Sequence, residues 1–139
     1  MAIRTDNYSV TGGAGTLGFG AARALLEHGL SGLMIFDINP DQAEDKIREL
    51  RTEFPASTVC AKMVNITDEI AVTQAIAETV EEFGSIDTLL CFAGVVCCIH
   101  AIEMSGAEFQ RVLNINTTGG FLCAQAAAKE MVKQGMWFP

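Results

Sequence analysis

Between Tyr8 and Gly20 the chain reads Tyr-Ser-Val-Thr-Gly-Gly-Ala-Gly-Thr-Leu-Gly-Phe-Gly, and the helix-forming run Ala-Ala-Arg-Ala-Leu-Leu-Glu-His follows at once. Few folds accommodate short β-formers that end in glycines and feed directly into a helix. The unpaired N–H groups of the first helical turn and the positive end of the helix dipole both point at the turn, where an anion such as pyrophosphate can sit. Gly13, Gly15 and Gly18 match G-x-G-x-x-G literally. In that pattern the three glycines serve a tight turn, close approach of backbone to phosphate, and close helix–strand packing. A plain structural βα turn remains the alternative, because 13 glycines in 139 residues make a chance match ordinary. The surrounding chain has to decide.

It does so by alternation. Leu33 to Asp37 is a short apolar run of strand length, and Asn39-Pro40 reads as a helix start with Asn39 as N-cap and Pro40 at the first helical position. Ala43, Ile47, Leu50 and Phe54 then recur at helical spacing until Pro55. Thr58 to Val64 is a third strand, and Thr67-Asp-Glu caps a helix with Val72, Ile76, Val80 and Phe83 on one face, ended by Gly84. Ile86 to Phe92 is a fourth strand. Ser105-Gly-Ala-Glu108 forms a capping box from which a long helical pattern runs towards Met131. Four β–α pairs in succession imply an α/β fold: a Rossmann-type, doubly wound parallel sheet, here its N-terminal portion with strand order 3-2-1-4.

Composition narrows the function classes. Half the residues are apolar, as a packed core requires, and the net charge of −8 opposes nucleic-acid or anionic-membrane surfaces. The N-terminal Met-Ala-Ile-Arg-Thr shows no leader of signal-peptide type, and no apolar run approaches a membrane span. The cysteines Cys60, Cys91, Cys97, Cys98 and Cys123 lack zinc-type pairing, so no metal site is expected, and they read as reduced, mostly buried thiols of a cytoplasmic protein. Asp37 ends the second strand about 20 residues past the glycine motif, where a carboxylate hydrogen-bonds the adenosine ribose and repels a 2′-phosphate. This favours NAD over NADP. The plainer alternative is that Asp37 only turns the chain before Asn39-Pro40.

Taken together, Thr11-Gly-Gly-Ala-Gly-Thr-Leu-Gly18, Asp37, Asn65-Ile-Thr-Asp68, Asp87-Thr-Leu-Leu-Cys-Phe-Ala-Gly94 and Asn116-Thr-Thr-Gly-Gly-Phe121 resemble, in order and spacing, the short-chain dehydrogenase/reductase family. Within it the chain looks most similar to NAD-linked sugar-alcohol dehydrogenases of the arabinitol or sorbitol type. The resemblance implies cofactor contacts from Gly12, Gly13, Gly15, Thr16, Leu17, Gly18, Asp37, Asn65, Ile66, Ala93 and Gly94. It also implies a small polyol or ketose substrate, and gives Asn116 a place in the proton relay, against the plain alternative of an asparagine bending a helix before Gly119-Gly120.

Departures accompany the matches. Thr16 stands where the family loop has its middle glycine, Asn65 where an aspartate is common, and Cys91-Phe92 where the family has two asparagines. The family's catalytic serine and its Tyr-x-x-x-Lys fall beyond Pro139, and Tyr8, the one tyrosine, has no lysine four residues on. General acid–base help is worth about 10²–10⁴ in rate, so turnover by these 139 residues alone is not expected. On this reading residues 1–139 are one NAD(P)-binding domain, incomplete at its C-terminus. Two readings stay open: the cofactor-binding half of an NAD(H)-dependent oxidoreductase, or an inactive truncated dinucleotide-binding or interaction protein. His28 reads as a helix C-terminal cap, His100 as a loop residue, and Cys97-Cys98 as an inert pair with no cation beside it. The strand Ile86–Phe92 is left with an open edge and the long helix with little to cover, so a homo-oligomer is expected.

Overall fold

In the computed structural model, residues 6–135 are described; the Met1–Thr5 segment read above as lacking a leader, and residues 136–139, lie outside them. The strands are β1 (Asn7–Thr11), β2 (Gly32–Asp37), β3 (Thr58–Met63) and β4 (Thr88–Cys91). The helices are α1 (Thr16–Glu27), α2 (Glu44–Glu53), α3 (Glu69–Phe83), α4 (Gly106–Leu113) and α5 (Gly120–Lys133). All strand pairs are parallel and the order is β3-β2-β1-β4, as the alternation requires. Val10 stands opposite Ile35 on one side and Leu90 on the other.

Side chains alternate across the sheet, so β2 feeds two cores. Leu33 and Ile35 pack with Ala22 and Leu26 of α1 and Ile47 and Leu50 of α2. Met34 and Phe36 face the opposite way and pack with Val72, Ala75 and Ile76 of α3 and Cys123, Ala126 and Ala127 of α5. A strand covered on both faces needs a continuous apolar run, and Leu-Met-Ile-Phe supplies it.

The helix boundaries depart from expectation in instructive ways. Asn39 does not cap α2; Pro40–Ala43 forms a 3-10 turn first, with Ala43 as the N-cap of α2 and Glu44 and Asp45 in its first turn. Pro40, with its fixed φ, starts the tighter turn just as readily. Asp68 caps α3 by accepting from the N–H groups of Ile70 and Ala71 at 3.0 and 3.1 Å, and Gly84 closes it in the left-handed region with φ of 85°. The Ser105 capping box is only half made: Ser105 Oγ accepts from Glu108 N at 3.1 Å, whereas the Glu108 carboxylate is taken by Arg111. Nor is the long helical rod uniform, since α4 and α5 are joined by a π-helical segment, Asn114–Gly119.

Strand β4 is shorter than its apolar run. The backbone of Ile86 is held by Gln134, which accepts from its N–H and donates to its carbonyl, both at 2.9 Å. The cysteines are free thiols, but they are not mostly buried: Cys123 alone is, and burial pushes its thiol up to about 12. The others lie on β3, at the exposed end of β4 and in the following loop, where they are partly or fully exposed. Among the described residues, no helix is long and apolar enough to cross a membrane.

Candidate dinucleotide site

Thr11 ends β1 with its side chain buried, and its hydroxyl accepts from Ala93 N at 3.3 Å. The glycine turn that follows is therefore packed backbone to backbone against the end of β4. Gly12 has φ of +66°, and a Cβ there would stand 2.6 Å from Ala93 N. Gly12, not Gly13, is thus the residue that needs the left-handed turn. Gly13 serves packing instead, since its Cβ would meet Ile35 Cγ2 at 2.8 Å. Gly18 sits against the turn, with the Gly12 carbonyl oxygen 2.3 Å from where a Cβ would be. Gly15 is the N-cap of α1, and no side chain caps that helix. Gly15, Thr16 and Leu17 are exposed there, with Leu17 75% accessible. The first-turn amides of α1 thus present an anion-binding end with the middle-glycine position filled by a threonine.

Asp37 comes off the end of β2 towards this turn. One carboxylate oxygen accepts from Ala14 N at 3.1 Å and the other from Asn39 N at 3.1 Å. The carboxylate thus turns the chain before Asn39-Pro40, as the plainer reading has it, and also ties the glycine turn to β2. A cavity of about 420 Å³ opens at the C-terminal ends of the strands. Of the residues singled out in the sequence, Gly12, Gly15, Asp37, Asn65, Ile66, Ala93 and Gly94 line it. Gly13 and Gly18 are buried beneath it, and Thr16 and Leu17 stand outside on α1. Asn65 Oδ1 is taken up by the N–H and hydroxyl of Thr67, which fixes the turn after β3. Ile66 is buried under Gly119, where a Cβ would come within 2.7 Å of its side chain.

Asn116 lies in the π-helical segment and clamps Val95: its Oδ1 accepts from Val95 N and its Nδ2 donates to Val95 O, both at 2.8 Å. Gly94 leaves room for this, with Asn116 Oδ1 3.2 Å from the position of a Cβ. His28 lies at the C-terminus of α1 with Nδ1 2.7 Å from Ala24 O, a capping contact, and His100 is an exposed loop residue. Cys97 is not free of charged neighbours, contrary to expectation, because α4 brings Glu108 and Arg111 to it. Desolvation and the Glu108 carboxylate nonetheless push its thiol up, which disfavours the thiolate. Arg111 also lines the cavity and escaped the sequence reading. The available signal was the Glu108-x-x-Arg111 spacing, hidden because Glu108 was assigned to the cap.

A glycine turn packed tightly on its own backbone, a helix N-terminus with no side-chain cap and a strand-end carboxylate suit a nucleotide bearing a pyrophosphate and a ribose diol. Residues 7–136 match the family described as short chain dehydrogenase. A 3alpha-hydroxysteroid dehydrogenase of Mediterraneibacter gnavus is 30% identical over 135 residues, covering 97% of this chain and 54% of that protein. Sorbitol-6-phosphate 2-dehydrogenase of Escherichia coli is 31% identical over 132 residues, covering 91% and 49%. The solved structure of an NAD+-bound xylitol dehydrogenase superposes with a TM-score of 0.87 at 28% identity, covering 94% of this chain and 49% of that one. The chain thus spans about half the length of the relatives it matches.

Proposed function

The chain belongs to the short-chain dehydrogenase family, and from that premise we propose that it is the cofactor-binding half of an NAD(H)-dependent oxidoreductase acting on an alcohol/carbonyl pair, with a polyol or ketose as substrate. The observation that carries the proposal is the convergence of the Gly12–Gly15 turn and the Asp37 carboxylate on one cavity at the strand ends. When bound, the nicotinamide supplies the hydride acceptor or donor. The residues of this chain bind and orient it. Backbone N–H groups at the start of α1 receive the pyrophosphate, and Thr16 adds a hydroxyl at that end. Asp37 receives the adenosine ribose and disfavours a 2′-phosphate, which supports NAD over NADP. Gly13 and Gly18 keep β2 and α1 close enough for the turn to hold its shape.

Asn116 occupies the relay position of the family. Its amide is engaged by Val95, so its part is positional: it holds the Gly94–Val95 wall of the cavity in place for a proton relay. The polyol reading draws support from the sorbitol-6-phosphate and xylitol dehydrogenases among the similar proteins. A cytoplasmic location and self-association belong to the same proposal. The first accords with cysteines that are free thiols, and the second with the exposed Phe109 and Phe121 on α4 and α5. Backbone amide shifts on adding NADH to the folded chain test the proposal. Changes concentrated at Gly12–Gly18, Asp37–Ile38 and Gly94–Val95 are expected. Absence of shifts at these amides in well-folded protein at saturating NADH would contradict it.

A further inference from the structure

One cavity wall consists of Arg111 of α4 and Ile115 of the π-helical segment that follows, four residues apart on the same rod. Arg111 is the one cation among the lining residues, and Asp37 the one carboxylate. Arg111 is exposed, its side chain 48% accessible, and its guanidinium is oriented by the neighbouring Glu108. Nε donates to Glu108 Oε2 at 2.8 Å and Nη2 donates to Glu108 Oε1 at 2.6 Å, a two-point fork that fixes the plane of the group. Glu108 is in turn anchored, because its own N–H donates to Ser105 Oγ at 3.1 Å. The fork uses the Nε–Nη2 edge and leaves both faces of the plane and Nη1 outside the pair.

This arrangement suits one kind of ligand group better than another. A guanidinium already offset by a carboxylate is a poor seat for phosphate, and the chain places its anion-binding amides elsewhere, at α1. A charge-paired guanidinium plane with both faces open can stack on a π face, as arginine planes do on nucleobases. The residues that share the cavity with it point the same way: Ile38 and Ile66 are apolar, and Asn65 adds a polar edge. We infer that Arg111, fixed by Glu108, is a specificity-determining residue whose guanidinium plane forms one wall of the pocket for the adenine base. The inference rests on the dinucleotide reading and adds to it a contact to the base, distinct from those to ribose and pyrophosphate.

Calorimetric titration of NADH and of reduced nicotinamide mononucleotide, which lacks the adenosine, separates the two levels. Arg111→Ala is expected to weaken NADH binding about ten-fold, within the range seen when a stacking partner of a base is removed. Arg111→Lys, which keeps the charge and loses the plane, is expected to weaken it as much. Glu108→Gln, which frees the plane, is expected to have a smaller effect of the same sign, and mononucleotide binding is expected to stay as in the wild type for all three. If wild-type chain bound no NADH, the dinucleotide reading would fall and this inference with it. If wild type bound but neither Arg111 variant differed from it, this inference alone would fall. Full affinity in Arg111→Lys with loss in Arg111→Ala would assign the effect to charge and overturn the stacking. Equal loss for the mononucleotide would overturn the assignment to the base.

Discussion

Gly18 and Gly20 are two residues apart on α1, yet they differ in what a methyl group would meet. At Gly18 the Gly12 carbonyl oxygen stands 2.3 Å from the added Cβ, and at Gly20 nothing lies within 4 Å. Gly18→Ala must therefore push α1 off the turn, at a cost of about 1–3 kcal/mol for overpacking. Gly20→Ala is expected to stabilise by roughly 0.5–1 kcal/mol through helix propensity. Thermal melts of the two variants check this, and equal effects would mean that α1 is not seated on the turn as described. At the same scale, the fork from Arg111 holds the Glu108 carboxyl at about 2, below its ordinary 4.5. A folded-state value that is depressed gives stability present above the unfolded value and lost as pH falls through the folded one. The difference in melting temperature between wild type and Glu108→Gln should therefore be full near neutral pH and close as pH drops from about 4.5 towards about 2. A gap independent of pH over that range would show that the pair contributes nothing as an ion pair.

At the scale of elements, β4 is fastened at both ends by one helical rod. Gln134, just past α5, grips the backbone of Ile86 before the strand, and Asn116 grips Val95 beyond it, each with one accepted and one donated hydrogen bond. Asn116→Ala should cost about 0.5–1.5 kcal/mol, the net worth of a hydrogen bond whose backbone groups water can reach. Amide hydrogen exchange should accelerate at Val95 in that variant and at Ile86 in Gln134→Ala, while β2 stays protected. Uniform acceleration across the sheet would contradict separate clamps. This pairing was only half legible in the chain. Asn116 stood out by resemblance, but Gln134 lies 48 residues from Ile86 and belongs to no motif. The sheet order was legible because a parallel βαβ alternation with right-handed crossovers admits few topologies. Boundaries were less so: Pro40 fits a 3-10 start as well as an α start, and Glu108 had two partners at similar reach, the cap at Ser105 and the fork at Arg111. Such choices are made by tertiary contacts, which local spacing does not carry.

For the molecule as a whole, the two outer strands are finished differently. The β3 edge carries Arg51, whose Nε donates to Val59 O at 2.8 Å, and Lys62, paired with Glu78 of α3. Charges of this kind blunt an edge. Among the described residues β4 pairs only with β1, and its Thr-Leu-Leu-Cys run holds no charge. Phe109 and Phe121, 55% and 59% accessible, add apolar surface on the neighbouring helices. The 139-residue chain is expected to self-associate, and size-exclusion chromatography with light scattering should give a mass above 14.9 kDa. A monomer that persists at high concentration would contradict this. The central claim, that the glycine turn and Asp37 together form a seat for NAD(H), is tested most directly by titrating NADH and NADPH into wild type and Asp37→Ala by calorimetry. The account predicts tighter binding of NADH by wild type and a narrowed preference in Asp37→Ala. Tighter binding of NADPH by wild type, or a preference for NADH undiminished in Asp37→Ala, would contradict it.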